Sequence, residues 1–516
     1  MNKNNLKLVF LLPIIILFSL YLGVGVASSQ SEVFYVTGGV GIIALVLVMG
    51  ARIWLLIPLV VFSNLYFRWI PGNLALRELT FLITIAGTVL LVLGRKIKIR
   101  FHVGLPHVLG LAVICCIVQA YLRHPTGLAL FGSGNVGGRP YFIVGLAVGG
   151  AAILSAIQVP LRDLIAARRF AMVGGVFTIL AQCIAYIPGM GLFMTIAFGT
   201  GNMGFMQSST AATTDTAGRN VAGAATAEAL PNILNGYSDP IKALYANRWT
   251  IIIALALFGA LISGFRSRIA LVGMTLAFGI FYWSGFRTVL LASMLAVISY
   301  IIIVAINVFL PLPGKVQRTL SFLPGSWEQR YVNEGESSTD WRVEIWEEAL
   351  FTDRWIDNKM FGDGLGFTSE ELGMQQGLSD GSLSFGGFGG LTDQQISILV
   401  NGDYHSGPVS LIRTVGYVGL VVFVLAMLVL AVACHKLLRR HKGSPHFGLL
   451  AIFLIPAMVH PVYFALIFGG FSKDVPAFFL NLGLYGLLRN NFDALDDLDE
   501  LESVEDESQL GGPIRS

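Results

Sequence analysis

His405-Ser406 stands where a long polar stretch gives way to an apolar run, with Gly416 after nine further residues and Gly419 after two more. An imidazole with an ordinary pKa of about 6.5 is largely neutral near pH 7 and can take a proton from a hydroxyl. Asp403 is a candidate to orient that ring or raise its pKa, and Tyr404 offers a face on which a sugar ring can stack. Two arginines are candidates to join it. Arg266 lies in Ser263-Gly264-Phe265-Arg266-Ser267-Arg268, where an apolar run opens, and Arg342 follows Trp341 in the polar stretch. A guanidinium stays charged and presents a planar fork to phosphate oxygens, so it suits a site where negative charge grows.

These residues need a scaffold, and composition says which kind. The 516 residues are 55% hydrophobic and 13% charged, with mean hydropathy +0.72. That much apolar surface implies a multi-span membrane protein. Cys115, Cys116, Cys183 and Cys434 all lie in apolar runs, which gives neither a disulfide framework nor metal-ligand spacing. Nothing implies a cofactor or a nucleic-acid partner, and no Asp-x-Asp or His cluster marks a cation site in the segments expected outside. The N-terminal run after Lys3 and Lys7 is longer than a signal core and reads as a retained first helix.

Apolar runs occur at about 6–26, 34–50, 53–67, 78–94, 105–122, 140–158, 169–188, 249–265, 269–284, 288–309, 409–434, 447–468 and 474–489. Basic clusters at Arg95–Arg100, Arg162–Arg169 and His435–Lys442 mark cytoplasmic ends. The stretch 310–408 holds 15 acidic and 6 basic residues and belongs outside. These constraints agree only if one more crossing precedes Trp249. The alanine-rich stretch Arg219 to Tyr237, interrupted by Pro231, is the place for it. A helix that polar crosses only inside a bundle or beside a water-filled cavity. The alternative, an external loop at 189–247, exchanges the sides of Arg266 and Arg287. Arg287, in the near copy Ser284-Gly285-Phe286-Arg287, is otherwise a cytoplasmic anchor.

The expected fold is an all-α polytopic bundle of about 14 transmembrane helices, with a large periplasmic loop before the last three. Its parts are an N-terminal bundle at 1–309, the loop at 310–408, C-terminal helices at 409–489 and a tail at 490–516. The tail carries nine acidic residues between Asp493 and Glu507 and reads as disordered. Inside the loop, residues 341, 345, 346, 349 and 350 form one apolar helical face, with Thr339 or Asp340 as N-cap. Its tryptophans suit a helix at or near the membrane interface. The glycines of Gly362-Asp363-Gly364-Leu365-Gly366 lack the Lys-Ser/Thr of a nucleotide loop. The patch Gly381 to Gly390 reads as a flexible loop.

The string His405-Ser406, nine residues, Gly416, two residues, Gly419 resembles the signature of the bacterial O-antigen ligase and polymerase superfamily. The Ser263-Gly264-x-Arg266 turn followed by Ile269-Ala270-Leu271 is similar to a Ser-Arg step that opens a transmembrane helix in that superfamily, and the order Arg342, helix, Gly362-x-Gly-x-Gly is similar to a further element. The resemblance spans roughly 219–420. It implies a glycosyltransferase C-like bundle in the bacterial inner membrane, with an active site facing the periplasm. The implied partners are a polyprenyl-diphosphate-linked glycan donor, a glycan or lipid acceptor, and the bilayer. On that resemblance His405 activates the acceptor hydroxyl, while Arg266 and Arg342 neutralise the diphosphate. Arg219, Arg268, Asp403 and Tyr404 are the further substrate-binding candidates, and Ser406, Gly416 and Gly419 complete the motif. A transporter or flippase of an anionic lipid-linked saccharide is the rival expectation.

Overall fold

The computed structural model describes residues 31–63, 65–66, 75–126, 138–184, 199–200, 221–245, 250–261, 263–366, 368, 371, 373–374, 377, 391–466 and 471–491. The run at 6–26, Arg219, the glycine patch 381–390 and the acidic tail lie outside them. The described chain is almost wholly helical, as expected where lipid leaves the backbone no other partner.

In order the helices are α1 (Ser31–Met49), α2 (Leu56–Val60), α3 (Leu76–Leu93), α4 (Leu105–Arg123), α5 (Arg139–Ala156) and α6 (Leu161–Ile184). There follow α7 (Val221–Asn235), α8 (Pro240–Tyr245), α9 (Thr250–Leu261), α10 (Arg266–Ser284) and α11 (Phe286–Phe309). The polar loop contributes α12 (Gly314–Leu320), α13 (Gln329–Phe351) and α14 (Asp393–Asn401), and the chain returns through α15 (Gly407–Arg440), α16 (Phe447–Leu466) and α17 (Phe471–Asn490). One two-residue pairing, Leu65–Tyr66 with Gly199–Thr200, is antiparallel.

Among the described residues, nine helical segments are long and apolar enough to cross a membrane. The runs at 34–50 and 53–67 do not form two separate segments. A 3-10 turn, Gly50–Leu55, joins α1 to α2 with no loop between them, and Gly39–Val60 makes one apolar segment. Hydropathy divides this stretch at Gly50-Ala51-Arg52, which the backbone simply runs through. Helix α11 buries none of its apolar window, and Leu290, Leu291, Met294 and Leu295 are all exposed. An apolar face left bare in this way suits lipid.

Small residues let the core helices approach closely. A Cβ on Gly483 of α17 would lie 2.6 Å from the Ala151 Cα of α5, and one on Gly486 would overlap the Ser155 side chain. Close backbone approach of this kind replaces the hydrophobic drive that lipid abolishes. Helix α15 packs along α16 and α4, and α7 lies among α6, α9, α10 and α16.

The two ends of the bundle differ in charge. At one end Asn490 Nδ2 donates to the Arg100 carbonyl at 2.8 Å, and Asn491 Oδ1 accepts from Val159 N at 2.9 Å. The segment Arg95–Arg100, the start of α6 and the end of α15 gather there. Gly285, at the α10–α11 turn, is at this end too, since a Cβ there would sit 3.9 Å from Lys442 Nζ; exposed Arg287 follows it. The opposite end carries the polar loop, tied down by Arg123 Nη2 on the Gly362 carbonyl at 2.8 Å and by Tyr141 Oη, which accepts from Leu365 N at 2.7 Å.

Replacing Gly483 with Leu is expected to lower stability by about 1–3 kcal/mol or prevent assembly, because the α5 backbone has no room to retreat. Gly145→Ala, with nothing within 4 Å of the new Cβ, should be neutral or slightly stabilising. Thermal unfolding midpoints of the two purified variants check this.

Candidate functional site

The site begins with a break in a helix. Within α15, Gly416 has φ 74° and ψ −179°, so the helix stops and restarts there. The backbone groups freed by the break are taken up by Lys359–Gly364 of the polar loop. Asp363 N donates to the Arg413 carbonyl at 2.7 Å and Gly364 N to the Thr414 carbonyl at 3.0 Å. In return Tyr417 N and Val418 N donate to the Lys359 and Met360 carbonyls at 2.8 and 3.1 Å. A Cβ on Gly416 would overlap the Met360 carbonyl, and one on Gly362, itself at φ +76°, would overlap the Thr414–Gly416 backbone. The two glycine motifs thus meet each other, and both serve this contact. The Asp363 carboxylate fixes the loop by accepting from Asp357 N at 3.0 Å and Asn358 N at 2.9 Å. Gly419, one turn further along α15, faces Cys116 of α4.

Just before α15, His405 is exposed and has φ 52°. Left-handed backbone costs a residue with a side chain about 1–3 kcal/mol, so its neighbours must hold it. Tyr404 is fully buried, its N–H donates to Ser410 Oγ at 3.0 Å, and its carbonyl accepts from Trp346 Nε1 at 2.8 Å. On the other side Ser406 is the N-cap of α15, its hydroxyl accepting from Val409 N at 3.5 Å. Gly407 presses on Phe464 of α16, where a Cβ would come within 2.5 Å. Strain stored at an exposed imidazole between two anchored residues is the pattern of a functional position.

Tyr404 does not fulfil the role of a stacking platform. Its ring lies in a core with Ile345, Ile396, Leu399 and Ile412, and burial raises the pKa of its hydroxyl. The aromatic surface next to His405 is Trp341, with ring centroids 6.0 Å apart and planes tilted by 42°. Asp403 is half-buried, and its Oδ1 has no hydrogen-bond partner among the described residues. Arg342 follows Trp341 on α13, so the tryptophan that touches His405 also brings α13 to it.

Helix α13 starts at Gln329, ten residues before the N-cap expected at Thr339 or Asp340. Gly335 lies within those added turns, and its missing side chain makes room for the Arg266 guanidinium. The apolar face at 341, 345, 346, 349 and 350 exists, and α14 with the first turns of α15 covers it. Gln395 of α14 donates to Glu344 at 2.8 Å on its edge.

The two arginines of the Ser-Gly-Phe-Arg-Ser-Arg step point to different surroundings. Arg266 Nη2 donates to Ser321 Oγ at 2.7 Å and to the Tyr331 carbonyl at 3.4 Å, while Nε donates to the Arg318 carbonyl at 3.4 Å. It clamps the end of α12 to the start of α13. Arg268 turns into the bundle and forms an ion pair with Glu228 of α7. Ser267 hydrogen-bonds Tyr463 of α16, beside that pair. A second buried pair lies close by, His460 Nε2 with Asp474 Oδ1 at 3.3 Å, bridging α16 and α17. The sequence reading passed over Glu228, His460, Tyr463 and Asp474. The signal was available, because an ionisable residue inside an apolar run is itself a functional flag.

Helix α7 runs parallel to α10, with Glu228 near Arg268 at the loop end and Asn235 Nδ2 on the Thr275 carbonyl at 3.3 Å further in. Beside Pro231, Asn232 Nδ2 donates to the Glu228 carbonyl at 3.0 Å. The polar helix thus lies inside the bundle with Glu228 and the Asn232 and Asn235 amide donors matched, while Asn232 Oδ1 and Asn235 Oδ1 have no hydrogen-bond partner among the described residues. Among the described residues no group of three His, Cys, Asp or Glu could hold a metal ion.

The fold and site define a helical multi-pass membrane protein with a polar site at one end. No family model matches the chain, and no curated protein matches it.

Arg268→Met alone is expected to destabilise by about 3–5 kcal/mol, because it strands Glu228 in the bundle; Glu228→Leu combined with Arg268→Met should recover most of that loss. A double-mutant cycle on thermal midpoints decides it, and purely additive losses would contradict the pairing. Gly416→Ala should prevent the loop from docking, seen as new protease cleavage between residues 357 and 366.

Proposed function

We propose that the chain is a membrane glycosyltransferase that moves a glycan from a polyprenyl diphosphate carrier to an acceptor hydroxyl. The observation that carries this reading is His405, an exposed imidazole held in a strained turn at the loop end of the bundle. The resemblance of its surrounding motif to the O-antigen ligase and polymerase superfamily supplies the donor class. The basic segments gather at the other end, which the charge bias of membrane loops assigns to the cytoplasm. His405 then faces the periplasm from an inner membrane.

In the proposed reaction the His405 imidazole takes the acceptor's hydroxyl proton as the oxygen attacks the anomeric carbon. The new glycosidic C–O bond forms while the bond to the diphosphate oxygen breaks. The lipid diphosphate departs with the electron pair, and the anomeric configuration inverts. Arg342, which follows Trp341 on α13, neutralises the leaving diphosphate. Trp341 offers the ring face for a sugar. Arg266 serves mainly to hold α12 and α13 in place, and Arg268 shapes the wall of the site through Glu228.

The rival reading, a flippase of an anionic lipid-linked saccharide, draws on the buried Arg268–Glu228 and His460–Asp474 pairs. Charged pairs at helix interfaces are also how transporters build a pathway.

The test separates stability from chemistry at one residue. His405→Gly relieves the left-handed strain, so stability should hold or rise by up to about 1 kcal/mol. Transfer from a lipid-diphosphate glycan should nevertheless fall by about 10²–10⁴-fold, the usual worth of a general base. Arg342→Ala should fall by about 10²–10³-fold. Full turnover by His405→Gly would overturn the assignment.

A further inference from the structure

The backbone turn that docks on the break in α15 stands at a definite depth. Between Tyr417, just past the break, and Lys436 of the basic cluster, α15 rises about 28 Å at about 1.5 Å per residue. Helix α4 packs along it with 19 residues, Leu105 to Arg123, and spans about the same length. The hydrocarbon core of a bilayer is about 30 Å thick, and tilt only shortens a helix along the membrane normal. With the basic end at one boundary, Gly416 and Arg123 fall at the other. Exposure agrees with this level. Every residue from Val409 to Gly416 is buried, whereas Tyr417, Val418, Val421, Leu425, Leu428 and Val432 are exposed along α15. The turn adds Met360, 55% exposed, and Phe361, 46% exposed, at the top of that face.

The turn is also built for a place without water. All four carbonyls from Lys359 to Gly362 accept hydrogen bonds from within the protein. Those of Lys359 and Met360 take Tyr417 N and Val418 N. Phe361 O takes Gln119 Nε2 at 2.9 Å and Arg123 Nη2 at 2.7 Å, and Gly362 O takes the same Nη2 at 2.8 Å. Phe361 N donates to Asn358 Oδ1 at 3.0 Å and Gly362 N to the Asn358 carbonyl at 2.6 Å. In water a surface turn leaves such groups to solvent; at the edge of hydrocarbon they need protein partners. The cations on either side are held in the same way. Arg123 Nε donates to Gln119 Oε1 at 2.9 Å, and its guanidinium lies 5.4 Å from the Phe361 ring centre. Lys359 Nζ folds back onto the Thr352 carbonyl at 2.8 Å and Asp353 Oδ1 at 2.6 Å.

We propose that Met360 and Phe361 insert among the acyl chains of the leaflet at the loop end, so that lipid as well as α15 anchors the polar loop. Lipid is the occupant because the exposed apolar face continues from the turn down α15 as far as Val432, most of the depth of a bilayer. Arg123 and Lys359 border the tip where headgroups lie, the place that long basic side chains take at a membrane edge. Since this turn also docks the break that precedes the exposed half of α15, the anchor holds the His405 end against the membrane surface. The proposal rests on the chain lying in a bilayer and is independent of the transfer chemistry.

Full-length protein with the photo-crosslinker benzoylphenylalanine in place of Phe361 is reconstituted in phosphatidylcholine nanodiscs and irradiated, and the adducts are identified by mass spectrometry. The same probe replaces Leu425, on the exposed face of α15, and exposed Glu347 of α13 for comparison. Lipid adducts are expected at 361 and 425 and not at 347. Met360→Asp with Phe361→Asp should speed protease cleavage between residues 357 and 366 several-fold in nanodiscs, while Met360→Leu leaves it unchanged. Adducts at 361 with the chain's own residues or with a second copy overturn the proposal, as does a 361 without lipid beside a labelled 425. Labelling of 347 as strong as that of 361 overturns it too. Lipid at neither 361 nor 425 removes the bilayer placement on which it rests. Unchanged cleavage in the folded aspartate variant also overturns it.

Discussion

A broken helix inside a membrane protein must find partners for every backbone group it frees, because lipid offers none. Here the break at Gly416 is matched by a second stretch of backbone, Lys359–Gly364, through four reciprocal hydrogen bonds. The rest of the loop end depends on that match. It fixes where α15 begins, and therefore where Ser406 caps it and where His405 must turn. It also explains why glycine stands at both 362 and 416, since either Cβ would push the two backbones apart. Arg123 and Tyr141 hold the loop from the helix side, and the Asp363 carboxylate braces it from within.

Around this frame the polar groups separate into two kinds. Arg266 spends its hydrogen bonds on carbonyls and a hydroxyl of the protein itself, and is a brace between loop helices. Arg268 and Glu228 are an ion pair kept inside the bundle, and His460 and Asp474 form a second buried contact there. Pairs of that sort seldom add stability over an apolar core. Under the proposed function, a polar substrate at the end that carries His405 accounts for them.

Legibility in the sequence followed the range of the interactions. The helical, multi-pass character needed only hydropathy. The amphipathic face of α13 was readable from its spacing because it involves neighbours three and four apart. Its true start was not, since the space for Arg266 at Gly335 is set by a residue 69 positions away. The pairing of Lys359–Gly364 with Arg413–Val418 is made by backbone atoms, which carry no residue type to read. Tyr404 looked available because it adjoins an exposed histidine, yet the left-handed turn at His405 sends the two side chains to opposite environments. Arg219 falls outside the described residues, so its suggested role at the outer end of the polar helix stays with the sequence reading.

The central claim is that the lipid–glycan bond is broken at the His405 end. The most direct measurement follows both halves of a doubly labelled polyprenyl-diphosphate glycan in vesicles containing the purified protein. The account predicts one polyprenyl diphosphate released for each new glycosidic linkage, with the anomeric configuration inverted. Movement of the intact lipid-linked glycan between leaflets, with no diphosphate released, would contradict it.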